Sequence, residues 1–436
     1  MKKALFALAL LLIFFLPLTI SYHAMTAKQN AAAENGAASS APYDYSTAST
    51  VLSEATGRII PAQFLESLPT EEIDGMLSQV ESGSGIIKGA NGESINVMLS
   101  RFGNEIDGKT VIDLGSNGKN YFELGFTGDM NFTEEGYIMP HARELANGVV
   151  DCIDSAFKNV MKSVDIMLVN NEFTYSERGT PMANKQYTFR ADPDSVKYLT
   201  LLGVDIVSLA NNHTYDYGHD AFIDTLGTLD NAGIARVGAG ENLNEASKEI
   251  SYIINGCKVA YLAASRAESI RFTPVATKDS EGVFGCYEGS EELINRVAEA
   301  KAKNDYVIVY VHWGAEYSTE LTDPQKELAK KYIDAGADAV IGAHPHILQG
   351  MEIYNGKPVV YSLGNFLFGT KTLDSGLAVL RIENGSISLK FMPGRQENSE
   401  VKYLGLNSER ERIFSKIIDI SPSKIKIDSE GNVTAG

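Results

Sequence analysis

Buried strands separated by helices, an α/β architecture, are what this 436-residue sequence predicts, and three observations carry the expectation. Six short runs rich in aliphatic and β-branched residues each stop at a small polar cluster. Segments with recognisable helix starts and stops lie between them. The two patterns alternate from about residue 121 to 395. Short apolar runs bounded by Gly, Pro and Asn read as strands covered on both faces.

In chain order, Lys2-Lys3 precede an apolar run, Ala4–Ile20. That run is at the short limit for a spanning helix and slightly long for a cleaved signal. The nearest small-x-small site, Ala24-Met25-Thr26, is a poor one, so residues 1–22 read as a signal anchor in preference to a cleaved signal peptide. Both put the rest of the chain outside the cytoplasm. No cysteine follows the run, which excludes a lipoprotein anchor. Residues 23–50, rich in Ala, Ser, Asn and Gly, are expected to be a flexible linker. Residues 51–120 form an N-terminal extension with a helix over 62–80, a strand over 110–114 and no assignable chemistry.

The six strands then follow. Glu123–Phe126 leads into Gly128-Asp129, Asp165–Val169 into Asn170-Asn171-Glu172, and Asp205–Leu209 into Asn211-Asn212-His213. Tyr306–Val311 leads into His312-Trp313-Gly314, Ala339–Ile341 into His344-Pro345-His346, and Val359–Leu363 into Gly364-Asn365-Phe366. Asp192-Pro193 opens a helix that Gly203 ends, and Asp323-Pro324 with Gly336 repeats the device. Ser290 with Glu291-Glu292 opens another. The tail, 396–436, carries one amphipathic segment (Ile413, Phe414, Ile417, Ile418) that should dock on the main domain.

A net charge of −18 argues against nucleic acid or an anionic membrane surface as partner. A polyanionic substrate would need buried metal charge to attract it. Three scattered cysteines cannot build a disulfide scaffold or a thiolate zinc site; a Cys257–Cys286 bridge would leave an odd thiol.

Polar residues just past the strand ends should collect along one sheet edge, where open α/β folds place their ligand sites. His213, His312, His344 and His346, beside Asp129, Glu172 and Asn212, then form one cluster. Imidazole, carboxylate and amide oxygen without thiolate suit Mn, Fe or Zn. The donors outnumber one tetrahedral set, so two ions bridged by a carboxylate and a water would use them. The turn at Pro345 fits one histidine per ion. Asn211-Asn212-His213 reads either as a helix cap or as a metal ligand, Asn212, followed by a proton donor, His213. Asp216 either orients that imidazole or caps the next helix. Gly364-Asn365 is a site floor or a plain turn, and Arg190 an anion contact or a surface ion pair.

Taken together, these segments, with Phe189-Arg190-Ala191 and Asp216-Tyr217-Gly218, resemble the CapA family of capsule-synthesis proteins, a branch of the calcineurin-like metallophosphoesterases. The resemblance covers about 121 to 370. It implies a four-layer fold, two sheets between helices, in a domain spanning 121–395. It implies a dinuclear site on Asp129, Glu172, Asn212, His312, His344 and His346, with His213 as catalytic imidazole. Asn131 stands where the wider superfamily has a histidine, and Asn171 replaces the leucine of the family's Asn-Leu-Glu. A role in making, exporting or anchoring poly-γ-glutamate at the cell surface is implied by the resemblance, with the polymer or its synthase complex as partner. The function expected is a membrane-anchored, external metal-dependent hydrolase. The alternative is a non-catalytic, metal-stabilised subunit of a polymer-synthesis assembly.

Overall fold

The computed structural model describes residues 43–56, 60, 62–83, 87–90, 95, 98, 104–106, 109–267, 272–287, 291–405 and 408–436. The expected anchor, the linker up to residue 42 and the helix-opening Ser290 lie outside the described residues. Among those described, no helix is long and apolar enough to cross a membrane.

The chain divides after Leu99 into two compact units. Among its described residues the first holds the helices α1 (Tyr45–Thr56), α2 (Ala62–Glu66) and α3 (Thr70–Glu81). Two elements here differ from the sequence expectation. The segment expected to be linker is already helical from Tyr45. The helix expected over 62–80 is broken in two, because Pro69 cannot continue a helix and sits instead at the start of α3.

In the second unit the strands of the two large sheets are β1 (Asn104–Ile106), β2 (Lys109–Gly115), β3 (Tyr121–Met130), β4 (Ile166–Asn171), β5 (Ile206–Ser208), β6 (Ala235–Val237), β7 (Ile250–Ile254) and β8 (Cys257–Ser265). They continue with β9 (Tyr306–His312), β10 (Ala339–Ala343), β11 (Met351–Tyr354), β12 (Lys357–Val360), β13 (Asn365–Leu367), β14 (Leu373–Glu383), β15 (Ser386–Glu397), β16 (Glu400–Tyr403), β17 (Ile425–Ile427) and β18 (Asn432–Ala435). One eight-stranded sheet runs β1-β2-β7-β8-β9-β10-β12-β11. A ten-stranded sheet runs β17-β18-β15-β14-β3-β4-β5-β6, with β13 paired to β3 and β16 to β15. The six site-bearing strands therefore divide three and three between two sheets, and do not share one sheet edge. β1 and β2, grouped above with the N-terminal extension, are strands of this unit. The tail adds strands as well as the helix Ser408–Asp419, which buries Ile413, Phe414 and Ile417.

Alternation along the strands builds the layers. Val307, Val309 and Val311 of β9 join a core with Leu293, Val297, Ala329 and Tyr332 from the helices Glu292–Lys301 and Asp323–Asp334. The residues between them face the other sheet: the Phe122 and Tyr306 rings lie 6.1 Å apart, and Tyr310 Oη donates to the Thr127 carbonyl at 2.9 Å. On the far side, Met167 and Val169 of β4 pack with Phe157, Met161, Phe222 and Leu226 from the helices Ser155–Ser163 and Gly218–Ala232. The result is helix, sheet, sheet, helix. Each fully buried Val, Leu or Phe contributes about 1.5–3 kcal/mol to holding it.

Helix starts match the local chemistry with one change. Asp192 caps the turn Pro193–Val196, accepting from the Asp194 N–H. Thr322, and not Asp323, caps the helix Asp323–Asp334, in a reciprocal capping box with Gln325. All three cysteines are free, so the Cys257–Cys286 bridge does not form.

Candidate metal centre

Asp129 reaches the site because β3 is irregular where it meets β4, between Phe126 and Asp129. Gly128 permits this: a Cβ there would lie 1.8 Å from the Gly364 carbonyl oxygen. The close approach lets the Asp129 N–H donate to that oxygen at 3.0 Å. From β4 and just past it come Asn170 and Glu172, two residues apart and so on one face. Asn212 and His213 follow β5, His312 ends β9, and His344 and His346 follow β10. Both histidines of that last pair have positive φ, +97° and +59°, which is costly for non-glycine residues and typical of functional sites.

All these side chains are buried. Two groups of three donors lie within 4.8 Å of one another: Glu172, His312 and His344, and Asp129, Glu172 and His346. Glu172 belongs to both. The Asn212 Oδ1 is 2.8 Å from His312 Nε2, and His344 Nδ1 is 3.1 Å from the same nitrogen. Glu172 Oε1 receives no hydrogen bond, and Asp129 Oδ2 completes none although His346 Nδ1 lies 3.2 Å away. Buried carboxylate oxygens left without donors are costly unless a cation satisfies them. The donor set therefore fits a divalent metal: buried, oxygen- and imidazole-rich, and short of protons.

The electrostatics agree. Burial, then the charge of Asp129, pushes the Glu172 pKa well above its usual value. Burial opposes ionisation of Asp129 too, but His346 outweighs it and holds the pKa low. Burial and the neighbouring imidazoles drive His312 well down, and burial brings His344 down to about 3, so both present neutral nitrogen. At His346 burial disfavours the proton, yet Asp129 and Asn365 outweigh it and raise the pKa.

Neighbours orient these groups. Asn170 Nδ2 donates to Asp129 Oδ1 at 2.8 Å and to Glu172 Oε2 at 3.1 Å, and Asn211 Nδ2 donates to Asn170 Oδ1 at 3.2 Å. His213 Nδ1 lies 2.6 Å from Asp216 Oδ2, which leaves Nε2 towards Glu172 Oε1 at 3.9 Å. Lys185 Nζ sits 2.8 Å from the other Asp216 oxygen, with 3% of its side chain exposed, and also donates to the Asn212 carbonyl. The Phe189 ring lies 4.3 Å from the His213 ring.

Asn170, Asn211 and Lys185 were not singled out by sequence. Asn170 was findable, since it precedes Glu172 by two on the same strand; nothing local marks Lys185. Asn365, expected at the floor of the site, has its Oδ1 2.7 Å from His346 Nδ1 and so orients that ring. Arg190 stacks on Tyr217 at 4.3 Å and donates to the Arg178 carbonyl. It lines a cavity of about 250 Å³ with Glu134, Glu135, Glu177 and Asp192, surroundings that repel an anion.

The family model for "Bacterial capsule synthesis protein PGA_cap" matches residues 123–370. This chain belongs to that family. The match spans β3 to just past β13 and includes every donor named above. Among curated relatives of this family member, the PGA biosynthesis protein CapA of Bacillus subtilis is 36% identical over 250 residues, covering 56% of this chain and 64% of that one. The capsule biosynthesis protein CapA of Bacillus anthracis is 30% identical over 291 residues, 64% of this chain and 69% of that one. The chain thus spans about two thirds of the length of these relatives. The solved structure of TT1561 from Thermus thermophilus aligns with 59% of this chain and 93% of that one, at 12% identity and a TM-score of 0.32, a remote likeness.

Proposed function

We propose that this capsule-synthesis protein is a metal-dependent hydrolase acting on the cell exterior in poly-γ-glutamate synthesis, held at the membrane by its N-terminal segment. The observation that carries the reading is the pair of buried donor groups sharing Glu172, with a separate imidazole aimed at them. In this proposal Asp129, Glu172, Asn212, His312, His344 and His346 hold two divalent ions, Mn, Fe or Zn. Such ions, when bound, polarise a phosphoryl or acyl oxygen and make hydroxide available near neutral pH. His213 carries the proton to the departing group through Nε2, while Asp216 fixes its tautomer and ring plane through Nδ1. Asn170 holds both carboxylates in place and Asn365 holds His346. The polymer, or the complex that makes it, is the partner.

The relatives' names describe biosynthesis, which favours a second reading, a metal-stabilised subunit without turnover. One experiment separates the two. The full chain, purified with metal present, is assayed for bound ions and for turnover of a phosphodiester and of poly-γ-glutamate. Close to two ions, with turnover lost in Glu172→Gln, is the expected result. Absence of metal refutes the dinuclear site; metal without turnover of either substrate refutes the hydrolase.

A further inference from the structure

The geometry points to an anion-binding edge on one side of this centre, built by Lys371 and Tyr317, for a ligand that carries carboxylates at intervals along a chain. The inference rests on the proposed function and names how its substrate is held. Among the described residues the large hydrophobic side chains of Tyr137, Tyr187 and Tyr317 are exposed. Tyr317 is 49% exposed, its ring lies 5.8 Å from that of His346, and its N–H donates to the Pro345 carbonyl at 2.8 Å. It also has a positive φ, +56°, so the chain is bent to hold it there. Lys371 Nζ stands 4.4 Å from the Tyr317 ring centroid and donates to its hydroxyl at 3.2 Å. The ammonium is thus held beside the metal centre, in solvent, with no ion pair among the described residues.

The positive edge continues from that point. Thr372 and Leu373, next in sequence, line a cavity of about 340 Å³ with Arg395, Arg412 and Lys416; Ile347, next to His346, lines it too. The three cations there are opposed by Asp374 and Glu409, an excess of one, and Lys371 adds another. In a chain of net charge −18 this local excess lowers the repulsion a polyanion meets on approach. Arg190, the cation the sequence suggested for this role, is turned into acidic surroundings. A carboxylate at Lys371 would set the next linkage of the chain over the His346 side of the centre. Glu316, just before Tyr317, acts electrostatically on Glu172 and His346 and is the opposing charge at the same edge.

Direct binding tests this without requiring turnover. The full chain is titrated with a labelled γ-linked glutamate oligomer and with its fully amidated, uncharged analogue, by fluorescence anisotropy at low and physiological salt. Lys371→Glu is expected to weaken oligomer binding about tenfold, because it places like charges together, and Lys371→Gln about three- to fivefold, as an exposed charge contact does. Glu316→Gln should strengthen binding, Lys119→Gln, exposed just before β3 at the end of that strand away from Asp129, should leave it unchanged, and the amidated oligomer should bind poorly to all. Equal binding by wild type and Lys371→Glu, or equal binding of the two oligomers, overturns the proposal. Metal content is measured on the same samples. Lys371-dependent binding by protein without metal would sink the hydrolase reading and leave this edge standing; normal metal and turnover with Lys371-independent binding would do the reverse.

Discussion

Replacing Lys185 with methionine tests the buried charge behind His213. Its Nζ lies 2.8 Å from Asp216 Oδ1, and the two side chains are 3% and 0% exposed. Methionine keeps most of the apolar stem, so the loss is electrostatic. Asp216 Oδ2 keeps His213 and the Phe189 N–H, but Oδ1 faces a dry interior without its cation. Stranding one partner of a buried pair costs about 3–5 kcal/mol. Asp216→Asn removes the lysine's counter-charge in turn. The double variant removes both charges and should cost less than the sum of the singles by about 1–3 kcal/mol. The bond from Lys185 to the Asn212 carbonyl is lost with the lysine in either background, so it drops out of that difference. The assay is urea unfolding followed through Trp313, the one tryptophan, buried beside His312 and stacked with Tyr332 and Tyr361 at 6.4 and 6.2 Å. A Lys185→Met protein within about 1 kcal/mol of wild type, as an exposed pair would give, or strictly additive single variants, would show that the lysine is not coupled to Asp216 in the folded state.

Three further outcomes are expected. His213→Ala should leave metal content near that of wild type and lower turnover by roughly 10²–10⁴-fold, while His344→Ala should lower metal occupancy; elemental analysis and initial rates on the same preparations separate proton donor from ligand. Asn365→Ala, which frees the His346 ring, should weaken metal binding by about 10–100-fold in a chelator competition without unfolding the chain. At Asp374 burial opposes ionisation, but Arg412 and Lys416 outweigh it and depress the pKa. A depressed folded pKa contributes stability above the unfolded value of about 3.9 and loses it as pH falls through the folded one. Asp374→Asn should therefore cost about 1 kcal/mol or less near pH 7, the pair being partly screened by solvent, and cost nothing once the pH is well below about 4 in paired urea titrations.

Much of the main unit was legible because its signals are local. Continuous apolar, β-branched runs and the Gly, Pro and Asn residues that stop them act over a few residues, so strands and most helix starts could be read directly. Pro69 and Thr322 were equally local and were misweighed: the first breaks a helix, the second caps one better than Asp323 does. The donor types at the strand ends, imidazole, carboxylate and amide oxygen, suit a hard or borderline divalent ion.

What the sequence by itself determined, then, was which residues are chemically able to hold a metal and that they sit at strand ends. Tertiary structure alone decided how those ends meet. Asn170 and His312 touch across 142 residues of chain, and His312 and Asn212 across 100. No short-range preference encodes contacts of that span; they exist because two sheets bury their facing sides against each other and carry their polar ends to one place. The same packing turned Arg190 towards carboxylates, brought Lys185 behind Asp216, and set Lys371 over Tyr317. A side chain's type fixes what it can do, and the burial of distant strands fixes what it faces.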